Sequence, residues 1–325
     1  MTHFGYTMMC EQSRPDQLVR DLQAAEAAGF DFSVISDHYQ PWLREQGHSG
    51  YAWSILGAAA QATERIPLMT YVTCPILRYH PAVVAQKAAT MQILSGGRFR
   101  LGLGAGENLN EHVVGQRWPM PGVRHEMLAE AIEIISRLFD GEESVNHRGK
   151  HFDVESARLW DLPDERVPIG VAVSGPDSYE LAGLTADVMV AVEPKEELVR
   201  QFEDAGGEGK PKVGQIAVAY DPDRDAAVRR AHEQFRWFGL GWLVNTDLPG
   251  PASFDGATQF VTPEQVAEQL PCGPDVQEHV AKIKPFLDAG FTEVALVQIG
   301  GDDQAAFVDW AERELLPALR ELDGA

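Results

Sequence analysis

A (β/α)8 TIM barrel is the fold class this sequence predicts, on three observations. Eight short apolar runs alternate with amphipathic helical segments. Those segments tend to begin near Pro or Asp, and several end near Gly, as helix first turns and caps prefer. A helix–turn–strand unit also recurs at the two ends of the chain, as AEAAGFDFSVIS and FLDAGFTEVALV. Strands interleaved with helices build a parallel sheet. The terminal repeat favours closing that sheet over leaving it open.

The strands are read in order as FGYTMM from Phe4, FSVIS from Phe32, PLMTYV from Pro67, FRLGLG from Phe99, PIGVAV from Pro168, VMVAV from Val188, QIAVAY from Gln215 and EVALVQI from Glu293. Helical patterns between them include PDQLVRDLQAAEAAG, PAVVAQKAATMQIL and DRDAAVRRAHEQF. Residues 1–325 are read as one domain with two departures from the repeat. These lie at about 140–161, where HRGKHFDV predicts a hairpin, and at about 239–274, which is rich in Gly and Pro. Long insertions in barrels commonly cover the mouth of the active site.

Composition narrows the function. At 325 residues and 44% hydrophobic content the chain can bury a full core. No apolar run approaches the roughly 18 residues of a membrane span, and no signal pattern opens the chain, so a cytoplasmic protein with no membrane partner is expected. The three cysteines, Cys10, Cys74 and Cys272, show no metal-type spacing and are expected to be free thiols. A net charge of −22 would repel a phosphate backbone, which argues against nucleic acid as a partner.

Chemistry in such a barrel belongs to residues that directly follow strands. After the second strand stands SDHYQPW, which places Asp37, His38 and Trp42 on the rim. A large indole there can wall a pocket and donate one N–H. After the third strand come Thr73 and Cys74, facing the mouth, and then Arg78 and Tyr79, read as anchors for the next helix. After the fourth, LGLGAGENLNE carries Gly102, Gly104 and Gly106, which permit close backbone approach. The amides from Glu107 through Asn108 to Asn110 follow and can face an anion. After the fifth, Ser174 and Gly175 precede a helix start that also suits phosphate. Asp37, His38, His48 and Glu107 form the one plausible metal set, but HExxH is absent. No GxSxG elbow supports a Ser-His-Asp hydrolase, and no GxGxxG fingerprint supports a dinucleotide site. No resident metal is expected.

Taken together, SDHYQPW, CPILRYHPAVVAQ and GAGENLNE resemble the luciferase-like superfamily, and within it the branch of F420-dependent glucose-6-phosphate dehydrogenases and their relatives. The resemblance implies a (β/α)8 barrel, usually a homodimer, that binds coenzyme F420 and exchanges hydride between its deazaflavin and an alcohol or carbonyl substrate. It further implies that Asp37 contacts the cofactor, that His38 is the base taking the alcohol proton, that Trp42 holds the substrate oxygen, and that Glu107 is the acid serving the cofactor ring. Cys74 falls where the family has a hydroxyl-bearing contact. The family's bulged strand end with a non-proline cis peptide maps to Tyr71 and Val72, beside Thr73. Gly106, Asn110, Ser174 and Gly175 would cradle the cofactor phosphate, and Lys195 would face the substrate.

For the substrate the sequence departs from the sugar-phosphate pattern. Val192 stands where those enzymes have a threonine, Glu193 adds negative charge beside Lys195, and residues 239–274 contain no Lys or Arg. A dianion site needs more cationic donors, so a neutral alcohol, sugar or carbonyl compound is expected. The aromatic run Phe235, Trp237, Phe238 and Trp242 is read either as pocket lining or as helix core. The alternatives are an FMN-dependent monooxygenase of the same superfamily, a sugar-6-phosphate dehydrogenase proper, and a cofactor-storage protein without turnover.

Overall fold

The computed structural model describes residues 2–322. Ten strands form in chain order: β1 (His3–Met8), β2 (Phe32–Ile35), β3 (Leu68–Thr70), β4 (Phe99–Leu103), β5 (Val145–Arg148), β6 (Asp153–Ala157), β7 (Ile169–Ala172), β8 (Val188–Ala191), β9 (Lys212–Val218) and β10 (Glu293–Gln298). Eight of them close a barrel in the order β1-β2-β3-β4-β7-β8-β9-β10, with β10 pairing back onto β1. All barrel pairs are parallel, as the helical crossovers require. This is the TIM barrel that the alternation of strands and helices predicts.

Size complementarity fills the barrel interior. Phe32, Val34, Met69, Val188, Val190, Val213 and Ala295 form one buried cluster, on which Tyr71, Val72 and Ala172 pack while staying partly exposed. The Phe32 ring fits because its neighbour on β1 is Gly5, where a Cβ would lie 2.5 Å from that ring. Burying such a phenylalanine contributes about 2–3 kcal/mol. Tyr71, Val72 and Ala172 thus form the floor of the C-terminal mouth. The peptide Tyr71–Val72 is cis, at the position the resemblance implies.

Most strand edges lie within one residue of the sequence reading, and the larger differences fall on β3 and β9. β3 ends at Thr70, two residues early, and pairing resumes as a single bridge from Thr73 to Leu103. β9 begins at Lys212, three residues before the apolar run, because the buried Lys212 ammonium is held by Glu203 at 2.7 Å.

β5 and β6 pair antiparallel as the expected hairpin, closed by Gly149 N donating to Phe152 O at 3.0 Å. The Gly- and Pro-rich stretch holds three short helices, Trp242–Asn245, Pro251–Ala257 and Pro263–Gln269. Its prolines open two of them, where no amide is needed. This stretch and Arg236–Leu240 pack over the mouth through a second core that includes Met9, Trp42, Leu43, Leu109, Phe235, Trp237 and Phe254.

Candidate active site

The tails of β1 and β2 meet first. Ser36 N donates to Met8 O, Ser36 Oγ donates to Glu11 Oε2, and Cys10 N donates to Ser36 Oγ. This brings Glu11 Oε1 to 3.1 Å from His38 Nδ1, with both side chains almost out of solvent. A carboxylate at that distance fixes the proton on Nδ1 and leaves Nε2 as the ring's acceptor. Ser49 Oγ donates to His38 O, and His48 N donates to Glu11 O, so the following loop braces the pair from behind.

Asp37 turns the other way, and its carboxylate is saturated by the protein. Oδ2 accepts from Trp53 Nε1 at 3.1 Å and Thr73 Oγ1 at 2.7 Å, and Oδ1 accepts from Tyr79 Oη at 3.1 Å. Arg78 Nη2 lies 3.3 Å from Oδ1 and donates to Asp37 O at 2.6 Å. Asp37 therefore anchors the rim loop to the tail of β3. Arg78 also binds Glu111, through its amide at 2.8 Å and Nε at 3.3 Å, so the expected anchor is a buried ionic bridge between two rim carboxylates. Desolvation of the fully buried Glu111 pushes its carboxyl up to about 7, while Arg78 opposes the shift.

On the tail of β4, Asn110 joins the two halves of the site. Its Oδ1 accepts from Tyr39 N at 2.8 Å, and its Nδ2 donates to Glu107 Oε2 at 3.2 Å. The loop carrying His38 and the carboxylate of Glu107 are thus tied by one side-chain amide. Gly102, Gly104 and Gly106 are required here by the protein's own packing. A Cβ at these positions would strike Thr70 O, Val72 and the Cys74 sulfur respectively, and Gly106 also has φ +77°. Burial first, then Glu111 and Glu107, raise the Cys74 thiol well above its ordinary value, so it is a neutral group. Asn108 is engaged with the mouth cover, its amide donating to Thr246 O and Nδ2 to Asp247 O, both at 2.9 Å.

Trp42 joins the rim to the mouth cover. Its ring centroid is 5.0 Å from that of His38, and it stacks on Trp237 at 4.1 Å and 8°, with Trp242 and Phe254 edge-on at 6.1 and 5.2 Å. Of the aromatic run, Phe235 and Trp237 are buried, and Phe238 and Trp242 are partly buried against the same cluster.

Ser174 and Gly175 follow β7, next in the barrel to β4. Their amides both donate to Ser178 Oγ, at 2.9 and 3.1 Å. Lys195 stands farthest round, beyond β8, exposed and paired with Glu193 at 2.9 Å. His38, Trp42, Asp37, Thr73, Glu107 and Asn110 are thus linked by direct contacts, whereas Ser174, Gly175 and Lys195 occupy the next arc of the rim.

The sequence reading did not single out Glu11 or Arg124. Glu11 had one usable signal, an acid immediately after the first strand. Arg124 had none, since it falls in an ordinary first helical turn of Pro121–Phe139. It is nonetheless buried, its guanidinium lies 4.4 Å over Trp118, and Nε has no hydrogen-bond partner among the described residues. Burial lowers the guanidinium's basicity, opposed first by Asp247, whose Oδ1 lies 3.7 Å from Nη2, and then by Cys74 and Glu107.

Comparison with known proteins places this geometry. The model of the luciferase-like monooxygenase family matches residues 1–293. An F420-dependent glucose-6-phosphate dehydrogenase of Beutenbergia cavernae is 36% identical, covering 98% of each chain. An F420-dependent hydroxymycolic acid dehydrogenase of Mycobacterium tuberculosis is also 36% identical, over 97% of this chain and 88% of that one. Among solved structures, an F420-dependent secondary alcohol dehydrogenase in complex with an F420-acetone adduct superposes with a TM-score of 0.89, at 29% identity over 98% of this chain and 99% of that one.

Proposed function

The chain belongs to the luciferase-like monooxygenase family, and on that premise we propose that it is an F420-dependent oxidoreductase acting on a neutral secondary alcohol or the corresponding ketone. The observation that carries the reading is the Glu11–His38–Trp42 constellation, bound through Asn110 to Glu107 on the next arc of the rim.

The residues present fit the cofactor. Tyr71, Val72 and Ala172 would give an apolar floor for the ring. Arg124, a buried guanidinium with an unengaged Nε and a long 3.7 Å pairing to Asp247, would supply a cation for an acidic tail, whereas the Ser174 and Gly175 amides would first have to exchange their bonds to Ser178 Oγ. When bound, F420 supplies two-electron hydride exchange with a substrate carbon. The protein handles the protons. His38 Nε2 takes the hydroxyl proton of the alcohol, and Glu11 stabilises the resulting imidazolium. Trp42, with Trp237 stacked behind it, keeps water from that proton and from the carbinol carbon. Glu107 holds the proton needed on the cofactor side, positioned by Asn110.

The substrate class follows from charge. The one lysine on the relevant arc, Lys195, is neutralised by Glu193. Arg236, beside the aromatic wall, is spent on Glu45, Asp255, Thr258 and the Glu233 carbonyl. Among the described residues a dianionic sugar phosphate would meet indoles there and cations already paired with carboxylates, Arg236 and Arg44 with Asp255 and Lys195 with Glu193, whereas a small neutral alcohol would meet an apolar wall and one base. Two relatives whose names specify an alcohol and a hydroxylated lipid accord with this reading.

The test is a panel of isopropanol, larger secondary alcohols and glucose 6-phosphate with oxidised F420, read as loss of the cofactor's visible absorbance. Turnover of neutral secondary alcohols, with glucose 6-phosphate inert, is expected. Comparable turnover of glucose 6-phosphate would overturn the substrate class. Oxygen consumption with FMN and no F420 turnover would overturn the reaction class.

A further inference from the structure

The helix Pro81–Leu94 carries a cation that the proposed proton transfers do not use. The Lys87 ammonium is enclosed by three aromatic rings. Nζ lies 3.3 Å from the ring centroid of Tyr79, 5.1 Å from that of Trp53 and 5.2 Å from that of Tyr51. Among the described residues no hydrogen-bond acceptor reaches it, although the atom is shielded from solvent. Burying an ammonium without an acceptor is costly. A methionine would fill the same space without that cost, so what the lysine adds is charge against the faces of the three rings.

Two of the three rings are donors to Asp37. Trp53 Nε1 reaches Oδ2 and Tyr79 Oη reaches Oδ1, each at 3.1 Å. Trp53 rides on the helix Ala52–Ala62 and Tyr79 on the loop before Pro81, so Lys87 draws together two elements that meet at one carboxylate. Asp37 in turn is bonded through the chain to His38. We propose that Lys87 is a positioning residue whose charge clamps Tyr79 and Trp53 and, through their bonds to Asp37, sets the placement of the His38 imidazole.

The clamp carries its own pH dependence. The charged and titratable groups facing Lys87 are Asp37, Arg78, Tyr51 and Tyr79. Burial pushes the amine down to about 8, with Asp37 opposing the shift and Arg78 adding to it. The ammonium is therefore present below about pH 8, and the clamp is released as pH rises through that value.

The inference rests on the proposed function for its kinetic arm only. In that arm, wild type, Lys87→Met and Lys87→Arg are compared in kcat/KM for the best neutral alcohol between pH 6 and 10, with melting curves to show folding. Wild type should lose activity above about pH 8. Lys87→Arg, charged throughout, should retain activity within about threefold at pH 7 and show no alkaline fall. Lys87→Met should be about tenfold slower at all pH values, also without the fall. An alkaline fall that persists in Lys87→Met, or Lys87→Met activity equal to wild type, overturns the proposal. The second arm needs no turnover. The His38 ring resonances, followed by NMR, should shift over the same range near pH 8 in wild type and stay fixed in Lys87→Arg. A wild-type His38 signal indifferent to that range overturns the proposal even if no alcohol is oxidised.

Discussion

Glu11 Oε1 lies 3.1 Å from His38 Nδ1, a contact made between the tails of two adjacent barrel strands. It sets the imidazole's tautomer before any substrate arrives. It also places a negative charge where a second ring proton is stabilised. In the proposed role of base, an imidazole held this way would need no reorganisation at the moment of proton transfer.

Replacing His38 by Ala should lower F420 reduction by about 10²–10⁴-fold, the usual worth of a positioned general base. Cofactor affinity, read by fluorescence titration, should stay close to wild type. Glu11→Gln keeps the shape but allows the wrong tautomer, and should cost roughly tenfold or more in kcat with little change in KM. A Glu11→Gln enzyme with wild-type kcat would remove the carboxylate from the mechanism.

Glu107→Gln should be more disruptive than its size suggests. Asn110 Nδ2 donates to Glu107 Oε2 while Asn110 Oδ1 accepts from Tyr39 N. An amide at position 107 must present its own carbonyl to keep that bond, and it has no proton to give. Steady-state alcohol oxidation, in which the cofactor ring takes up a proton, should fall by about 10²-fold or more, and a binding assay should show F420 still retained.

Trp237→Ala removes the ring stacked on Trp42 at 4.1 Å. The cavity and lost stacking should cost about 3–5 kcal/mol in urea unfolding. Trp237→Phe should be milder, raising KM for the alcohol several-fold while F420 affinity stays within about twofold, as an apolar wall change implies. Unchanged KM in Trp237→Phe would detach the wall from substrate binding.

A stability prediction concerns Asp21 on the helix Pro15–Ala27. Its Oδ2 is buried without a partner among the described residues, and burial pushes the carboxyl up to about 6 while Gln17 opposes the shift. A raised folded-state value means that folding favours the protonated acid. The site is neutral in effect below the unfolded value near 4, becomes destabilising as pH rises to about 6, and stays so above it. Asp21→Asn should therefore stabilise the protein by about 1–2 kcal/mol at pH 8, with the gain vanishing toward pH 4. Urea midpoints at the two pH values check this, and an equal gain at both would show that ionisation is not the cause.

The barrel was legible because its strands alternate with capped helices and its glycines punctuate the turns. The ends of β3 and β9 were less so. A bridge at Thr73 and a lysine buried by an ion pair are tertiary facts without a local signature. In the site, Asp37, His38, Trp42 and Glu107 could be singled out because each follows a strand as an isolated polar or aromatic group. Glu11 offered only its place shortly after the first strand and Arg124 offered nothing, because their significance depends on partners far away in sequence. Arg78 was read as an anchor, and it is one, although its span from Asp37 to Glu111 is visible only in three dimensions. The glycines of LGLGAG were read for ligand approach, whereas each leaves room for a neighbour within the protein.

The aromatic cover built from residues 236–258 meets the rim through Trp237, Trp242 and Phe254 around Trp42, through Arg236 with Glu45 and Asp255 with Arg44, and through Thr246 and Asp247 with Asn108, Trp118 and Arg124. On the proposed function, the polypeptide that would shape the cavity and the polypeptide that would move the protons are separate in sequence and joined at Trp42. If that function holds, exchanging the cover for one with a different cavity shape should change which substrates are accepted while His38 and Glu107 keep their surroundings.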